Sequence, residues 1–385
     1  VVAPEGKSPG GGRVVVCFHE HNLGGATRSV ERIVPLLEEV GWEFSFWVPR
    51  PSELYDALAE RGWDVDGEPR CFEYSVRAWR LPPGPVRRLA TWPRYVRRFR
   101  TFLDRRRPVL LHANSVLTLA EALVGARRGY PVLLHAHEML PGNLRGRMLR
   151  RATWRHLDQV VAVSRASAEA LAYRGRLPRI VYEAAPVPEA HVPVRADPQP
   201  FTVGTVAVVS TRKGSDLFVE AARLLGERNG NGTFRFEMVG TASDAIESEW
   251  ASGVIDRARR LGVVHVPRAD VFRRLAEWDA FVLPSRADPF PIAMLEAMAA
   301  GLPVIGARRD GIAEQVVPGA GLLVEPDDPR ALADAIAWLA AQRGAVRERI
   351  GEHARARVAD NFTLAHQANA MHDAYLATLA RAERT

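Results

Sequence analysis

The sequence predicts an α/β protein made of two doubly wound, Rossmann-like domains facing a cleft. Three observations carry that prediction. Short apolar runs of strand character alternate with stretches of helical period in both halves of the chain, the pattern of parallel sheets. Five prolines fall within the 17 residues AAPVPEAHVPVRADPQP at 184–200, and the alternation restarts after them. A length of 385 residues also exceeds what one hydrophobic core ordinarily covers.

Residues 1–12 (VVAPEGKSPGGG) have no apolar signal core and read as a loose N-terminal tail. RVVVCF (13–18) is a buried-strand run. Helical period follows over 26–40, then the strand FSFWV (45–49) and a helix near 52–62. Further strands are RCFEY (70–74), VLLHA at 109–113 and again at 132–136, and QVVAVS (159–164). Helical stretches lie near 85–105, 116–128, 143–156 and 165–174. Together these make an N-terminal domain over 13–185. The proline density of 186–200 favours an extended, polar linker. Beyond it come FTVGTVAVV (201–209), a helix over 215–228, FRFEMVG (234–240), VVHV (263–266), a helix over 270–277 and AFVLPS (280–285). A helix over 291–300, PVIG (303–306), GLLV (321–324) and the helical ALADAIAWLAAQ (331–342) complete a second domain over 201–362. Residues 363–385 read as a last helix that can cross back to the first domain. Ligands of such sheets bind beyond the carboxyl ends of the strands.

At 47% hydrophobic and 25% charged residues, the composition is that of a globular protein. No run of about 18 apolar residues is present, so no spanning helix is expected. Cys17 and Cys71 lack metal-type spacing and are too few for a disulfide framework, which fits a reducing cytoplasm. The net charge of +7 is uneven. Residues 1–200 hold 30 Lys and Arg against 21 Asp and Glu, whereas 201–385 hold 22 against 24. The stretch 85–155 contains 16 Arg and only Asp104, Glu121 and Glu138 as acids, with Trp92, Tyr95, Phe99 and Trp154 interleaved. Such a stripe is either a solvated face or an attachment to an anionic surface, here the inner face of a membrane. Nucleic acid is not the expected partner.

Of 52 basic residues only Lys7 and Lys213 are lysine. A lysine at 213, in a chain that otherwise uses arginine, marks a place where a compact ammonium is preferred to a planar fork. The stretch ADPFPIAMLEAMAAG (287–301) follows the strand AFVLPS. Pro291 suits the first helical turn, and the N–H groups of Ile292 and its neighbours then face an anion or sugar hydroxyls. Glu296 lies one turn on, where a carboxylate can accept from a ribose diol. Asp288, eight residues earlier, can accept from a second polyol. The alternative makes Asp288 a helix-entry acid and Glu296 an exposed helix residue.

Asp288-Pro-Phe-Pro-Ile-Ala-Met-Leu-Glu296 and the following AMAAGLPVIG resemble the acid-x7-acid signature of the family 4 glycosyltransferases, retaining nucleotide-sugar enzymes of the GT-B fold. The likeness runs along most of the chain and is strongest over 201–340. The family usually has Glu first, then Gly-Phe-Gly; here Asp288 comes first, with Pro289 and Pro291 leaving only Phe290 and Ile292 as backbone donors. The resemblance implies that Asp288 holds the donor sugar and Glu296 the ribose. It places Lys213 in VGTVAVVSTRKGSDLF (203–218) at the donor diphosphate. Val208 stands where the family often has an arginine, so Arg212 is the substitute. Gly25, and less strongly Gly24, in HNLGGATRSV (21–30) match the glycine loop near the acceptor and leaving phosphate; turns also need glycine for ordinary reasons. In LLHAHEM (133–139) His137 matches the histidine that faces the donor sugar, with His135 as the back-up. The pair also has i,i+2 spacing suited to a metal, but no third ligand follows by spacing and none is assigned. RRDGIAEQV (308–316) resembles the turn beside the donor phosphates, with Gly311 the stronger contact and Glu314 the weaker. Glu183 takes the place of the family's asparagine at the entry to the linker.

The implied activity is retaining, metal-independent transfer of a sugar from a nucleoside diphosphate to an acceptor hydroxyl. His137, Lys213 and Asp288 are the catalytic candidates. No cofactor is called for, and uridine diphosphate is the commonest carrier of such donors. The acceptor is not specified. Alternatives are a nucleotide-sugar epimerase of the same two-domain fold and a non-catalytic partner subunit.

Overall fold

The computed structural model describes residues 11–69, 85–190, 195–196, 199–230, 232–242 and 247–384. It divides into two compact units, 1–182 with 364–385 and 183–363.

The first unit begins with β1 (Gly12–Cys17), α1 (Gly25–Glu38), β2 (Trp42–Pro49), α2 (Glu53–Glu60) and β3 (Asp64–Glu68). It continues with α3 (Pro85–Arg106), β4 (Leu110–Asn114), α4 (Leu119–Ala126), β5 (Val132–Ala136), α5 (Leu144–His156), β6 (Gln159–Ala162), α6 (Arg165–Leu171) and β7 (Arg179–Ile180). The seven strands form one parallel sheet in the order β3-β2-β1-β4-β5-β6-β7. β1, β4 and β5 are apolar almost throughout because helices cover both of their faces. The helices α3, α4, α5 and α6 pack on one face, around Tyr95, Phe99, Leu119, Trp154 and Leu171. β3 appears where no strand was expected. Its sequence, DVDGE, carries no apolar run because it is an edge strand whose Asp64 accepts from Ser45 Oγ (2.6 Å) and from Arg106. The strand expected at 70–74 lies outside the described residues.

The second unit runs β8 (Phe201–Val206), α7 (Ser215–Asn229), β9 (Phe234–Val239), α8 (Ser248–Arg260), β10 (Val264–Val266), α9 (Val271–Leu275) and β11 (Ala280–Leu283). Then come α10 (Ile292–Ala299), β12 (Val304–Ala307), α11 (Asp310–Gln315), β13 (Leu322–Val324), α12 (Pro329–Ala340) and α13 (Gly344–Asn361). Its six strands are parallel in the order β10-β9-β8-β11-β12-β13. The helices α8, α11 and α13 were not expected from the sequence.

The proline-rich segment is not a free connector. Arg195 pairs with Asp279, while the Arg347 guanidinium donates to the carbonyls of Arg195 (2.7 Å) and Ala196 (2.9 Å). Prolines deprive this segment of donors, and its carbonyls take theirs from arginine side chains of the second unit.

The last helix, α14 (Leu364–Ala382), belongs to the first unit. Met371, Ala374 and Tyr375 are fully buried there, against α1 and β2, with the Trp42 indole donating to His372 (2.9 Å). It covers the sheet face opposite α3–α6.

Candidate functional site

In the second sheet the strand order reverses between β8 and β11, and the loops leaving those two strands meet there. Ser210 caps the short turn Thr211–Lys213 by accepting from the Lys213 N–H (3.3 Å). Gly214 follows at φ +67°, with no space for a Cβ against the Pro284 carbonyl. The Arg286 N–H donates to the Arg212 carbonyl (2.8 Å), and Arg212 Nη1 to the Ala287 carbonyl (3.1 Å). Those bonds stitch the two loops together and bring the Lys213 ammonium to Asp288, Nζ to Oδ2 at 2.6 Å. Ser285 Oγ donates to the same carboxylate oxygen (3.1 Å). The Lys213 side chain is only 15% exposed. Its burial pushes the ammonium's pKa down, against the pull of Asp288. Arg286 is fixed by both carboxylate oxygens of Asp216 (2.7 and 2.8 Å) and holds the loop from behind.

The helix α10 starts immediately beyond. Pro291 is its N-cap, in extended conformation, so the first-turn place expected for it falls to Ile292. Met294, Leu295 and Met298 are fully buried on the sheet. Glu296 is 4% exposed, which removes the alternative of an ordinary solvated helix acid. Phe290 puts its ring into the core against Phe362 (centroids 5.3 Å apart), leaving only its backbone for a ligand. The Gly311 N–H donates to the Asp288 carbonyl (3.1 Å), and a Cβ there would overlap Pro289 and Phe290. Asp310 accepts from the Asp288 N–H (3.2 Å); burial raises its pKa. Glu314 is half-buried on α11, its carbonyl accepting from Arg357 (3.2 Å). Val208 is exposed. Arg212 Nη1 stands 3.9 Å from Asp288 Oδ1, so an arginine is present at the cluster although none stands at 208.

The first unit gathers a second polar cluster at the carboxyl ends of β1, β4 and β5. His137 Nε2 is 2.8 Å from Asn114 Oδ1, whose Nδ2 donates to the Ala26 carbonyl (2.9 Å) in the first turn of α1. Glu138 accepts from Ser115 Oγ and from the Val116 N–H (3.1 Å), and Ser115 holds a φ of +112°. Glu20 accepts from the Thr27 hydroxyl and the Thr27 N–H (3.0 Å), so a carboxylate of the chain itself already caps α1. Burial raises the pKa of Glu20. A Cβ at Gly24 would displace the Glu20 carboxylate from its place at the start of α1, whereas Gly25 has open space around it. His135 is fully buried, its ring 4.1 Å from that of His137. It backs His137 and is not itself exposed to a ligand. Burial holds His135 well below the usual histidine range and His112, beside it, down to about 3.

Glu20, Asn114, Glu138 and Asp310 were not singled out in the sequence. Each joins the cluster of its own unit through space rather than through a spacing motif. The available signal was position alone: Glu20, Asn114 and Glu138 all stand at or just past the end of an apolar strand.

The family model of the "Glycosyl transferase 4-like domain" matches residues 24–188, and that of "Glycosyl transferases group 1" matches 200–342. The chain is 31% identical over 142 residues to the amylovoran biosynthesis glycosyltransferase AmsK of Erwinia amylovora, covering 35% of each. It is 32% identical over 199 residues to the lipopolysaccharide core mannosyltransferase LpsB of Rhizobium meliloti, covering 49% of this chain and 54% of that one. The matched stretches thus span about a third to a half of the length of these relatives. HepE of Anabaena, solved with UDP and glucose, superposes with a TM-score of 0.76 at 19% identity, over 94% of this chain and 98% of that one. Each parallel-sheet unit is thus matched by a glycosyltransferase domain model, and the two units have the Rossmann-like folds of the GT-B kind.

Proposed function

We propose that this protein transfers a sugar from a nucleoside diphosphate to an acceptor hydroxyl, with retention and without a metal ion. The observation that carries the proposal is the Lys213–Asp288 contact at the strand-order reversal, with Glu296 buried one turn into the adjoining helix. The bond between the anomeric carbon and the phosphate oxygen breaks while the bond to the acceptor oxygen forms on the same face. The acceptor proton passes to the departing phosphate oxygen. Negative charge grows on that phosphate, and a nearly dehydrated ammonium at 213 stabilises it more strongly than a solvated one would. Asp288 accepts from a sugar hydroxyl, and Glu296 accepts from the ribose. The Ile292 amide and Arg212 complete the donor contacts, while Gly311, whose N–H is taken by the Asp288 carbonyl, keeps the loop close enough for them.

The donor base follows most simply as uracil, since HepE was solved with UDP and with UDP-glucose. A screen of nucleoside diphosphates by thermal shift tests this, because a selective ligand raises the melting temperature. For the reaction, Lys213→Ala is expected to lower transfer about 100- to 1000-fold, as removal of one charge-stabilising donor does. Undiminished transfer by that variant overturns the assignment of Lys213. Membrane attachment through the Arg-rich segment 85–155 would suit a lipid-linked acceptor.

A further inference from the structure

The helices α3, α4 and α5 form one layer on the first sheet, and that layer carries the Arg-rich segment. Its three acids are all engaged. Glu121 is buried and accepts from Tyr95 (2.5 Å), Asp104 pairs with Arg128, and Glu138 is held by Ser115 and Val116. On α3, Arg98 pairs with Glu68 and Arg106 with Asp64, so part of that helix's charge is opposed. On α5 the sequence from Met139 to Leu157 has five arginines and no acid. Arg150 turns inward, to the carbonyls of Pro141 (3.2 Å) and Ala170 (3.0 Å). Arg147, Arg151 and Arg155 are exposed and form no ion pair among the described residues.

At 100° per residue, Leu144, Arg147, Met148, Arg151 and Arg155 all fall within about 100° of arc on α5. Leu144 is 65% exposed and Met148 60%. With Leu177 at 61%, they are the most exposed large apolar side chains among the described residues. The first turn cannot roll to hide them. Asn143 caps it by accepting from the Gly146 N–H (3.0 Å), and Gly146 is buried with no room for a Cβ beneath the Pro141 carbonyl. Because α5 runs antiparallel to the strands, Leu144 and Met148 stand at the same edge of the sheet as His137, one short loop after it.

We propose that this face of α5 lies on an anionic phospholipid surface. Leu144 and Met148 enter the headgroup boundary, and Arg147, Arg151 and Arg155 meet lipid phosphates. The inference deepens the membrane reading of 85–155 and stands on the surface rather than on the transfer reaction. It would hold the His137 edge of the first unit close to the bilayer, where a lipid-linked hydroxyl is presented.

Flotation of the full chain with phosphatidylglycerol–phosphatidylcholine vesicles, against phosphatidylcholine alone, is the test. The protein should float with the anionic vesicles at low ionic strength and be released by salt. The triple variant R147E/R151E/R155E should bind about a hundredfold more weakly. The pair Leu144→Ser and Met148→Ser should weaken binding at every salt concentration, and the added emission of M148W should shift to the blue when anionic vesicles are supplied. A wild-type chain that does not float, a triple variant that floats as well as its parent, or an unshifted M148W emission overturns the proposal. So does duplex DNA that competes equally for both the wild type and the Leu144/Met148 pair, which would make the face a general polyanion surface. Each variant should keep the thermal shift with nucleoside diphosphate; loss of that shift in the wild type bears on the donor site and not on α5.

Discussion

Gly311 is the residue on which the donor-side geometry is most tightly set. Its amide holds the Asp288 carbonyl, and a methyl group has nowhere to go between Pro289 and Phe290. Gly311→Ala should therefore destabilise the fold by about 1–3 kcal/mol and weaken nucleoside diphosphate binding, both read from chemical denaturation with and without ligand. Gly25→Ala, by contrast, meets empty space at the start of α1 and should stay within about 0.5 kcal/mol of the parent. Glu20→Ala removes the carboxylate that caps α1 and should cost about 1 kcal/mol, with Glu20→Gln recovering most of it. At this scale the sequence was partly legible. Lys213 stood out because the chain uses arginine nearly everywhere else, and Asp288 and Glu296 by their spacing before and within one helix. Glu20, Asn114 and Asp310 were not legible, since nothing along the chain states that the ends of β1, β4 and β5, or the two loops around Asp288, lie side by side.

The element that ties the first unit together is α14. Tyr375 comes within 2.8 Å of His112 Nδ1, and the rings of His112 and His135 lie 5.4 Å apart beneath the sheet edge. Both histidines are buried and neutral, with His112 held at about 3 against an ordinary value near 6.5. Below pH 6.5 the unfolded chain takes up protons that the native state refuses. Stability is thus full above about pH 6.5 and should fall as pH drops toward 3, by about 1.4 kcal/mol per pH unit for each such histidine. Melting temperatures from pH 7 to 4 would show the slope, and His112→Phe should flatten it in proportion. The same scale explains which elements could be read ahead. Runs such as RVVVCF and AFVLPS are strands buried on both faces and announce themselves. β3 is polar because it lies at an edge. The helix α13 alternates alanine and arginine without a clear apolar stripe; it is held partly by Gly351, whose bare backbone meets the Gly301 carbonyl.

Taken whole, the chain is two units, the first made of segments far apart in sequence. A chain ending at Thr363 should lose the packing of Met371, Ala374 and Tyr375 against α1 and β2, leaving Trp42 and His112 uncovered. Calorimetry should then show an early or missing transition for the first unit. The second unit, which owns Lys213, Asp288 and Glu296, should keep its ligand-dependent transition. Equal loss of both would show that the units do not melt separately. The return of α14 also has a consequence for biosynthesis. Residues 1–182 leave the ribosome before the second unit, yet they lack their closing helix until about 180 further residues have been translated. At roughly 5–20 residues per second that is a wait of about 10–40 seconds. During it, the second unit can reach its native state while the earlier one stands open, a nascent-chain intermediate suited to chaperone holding.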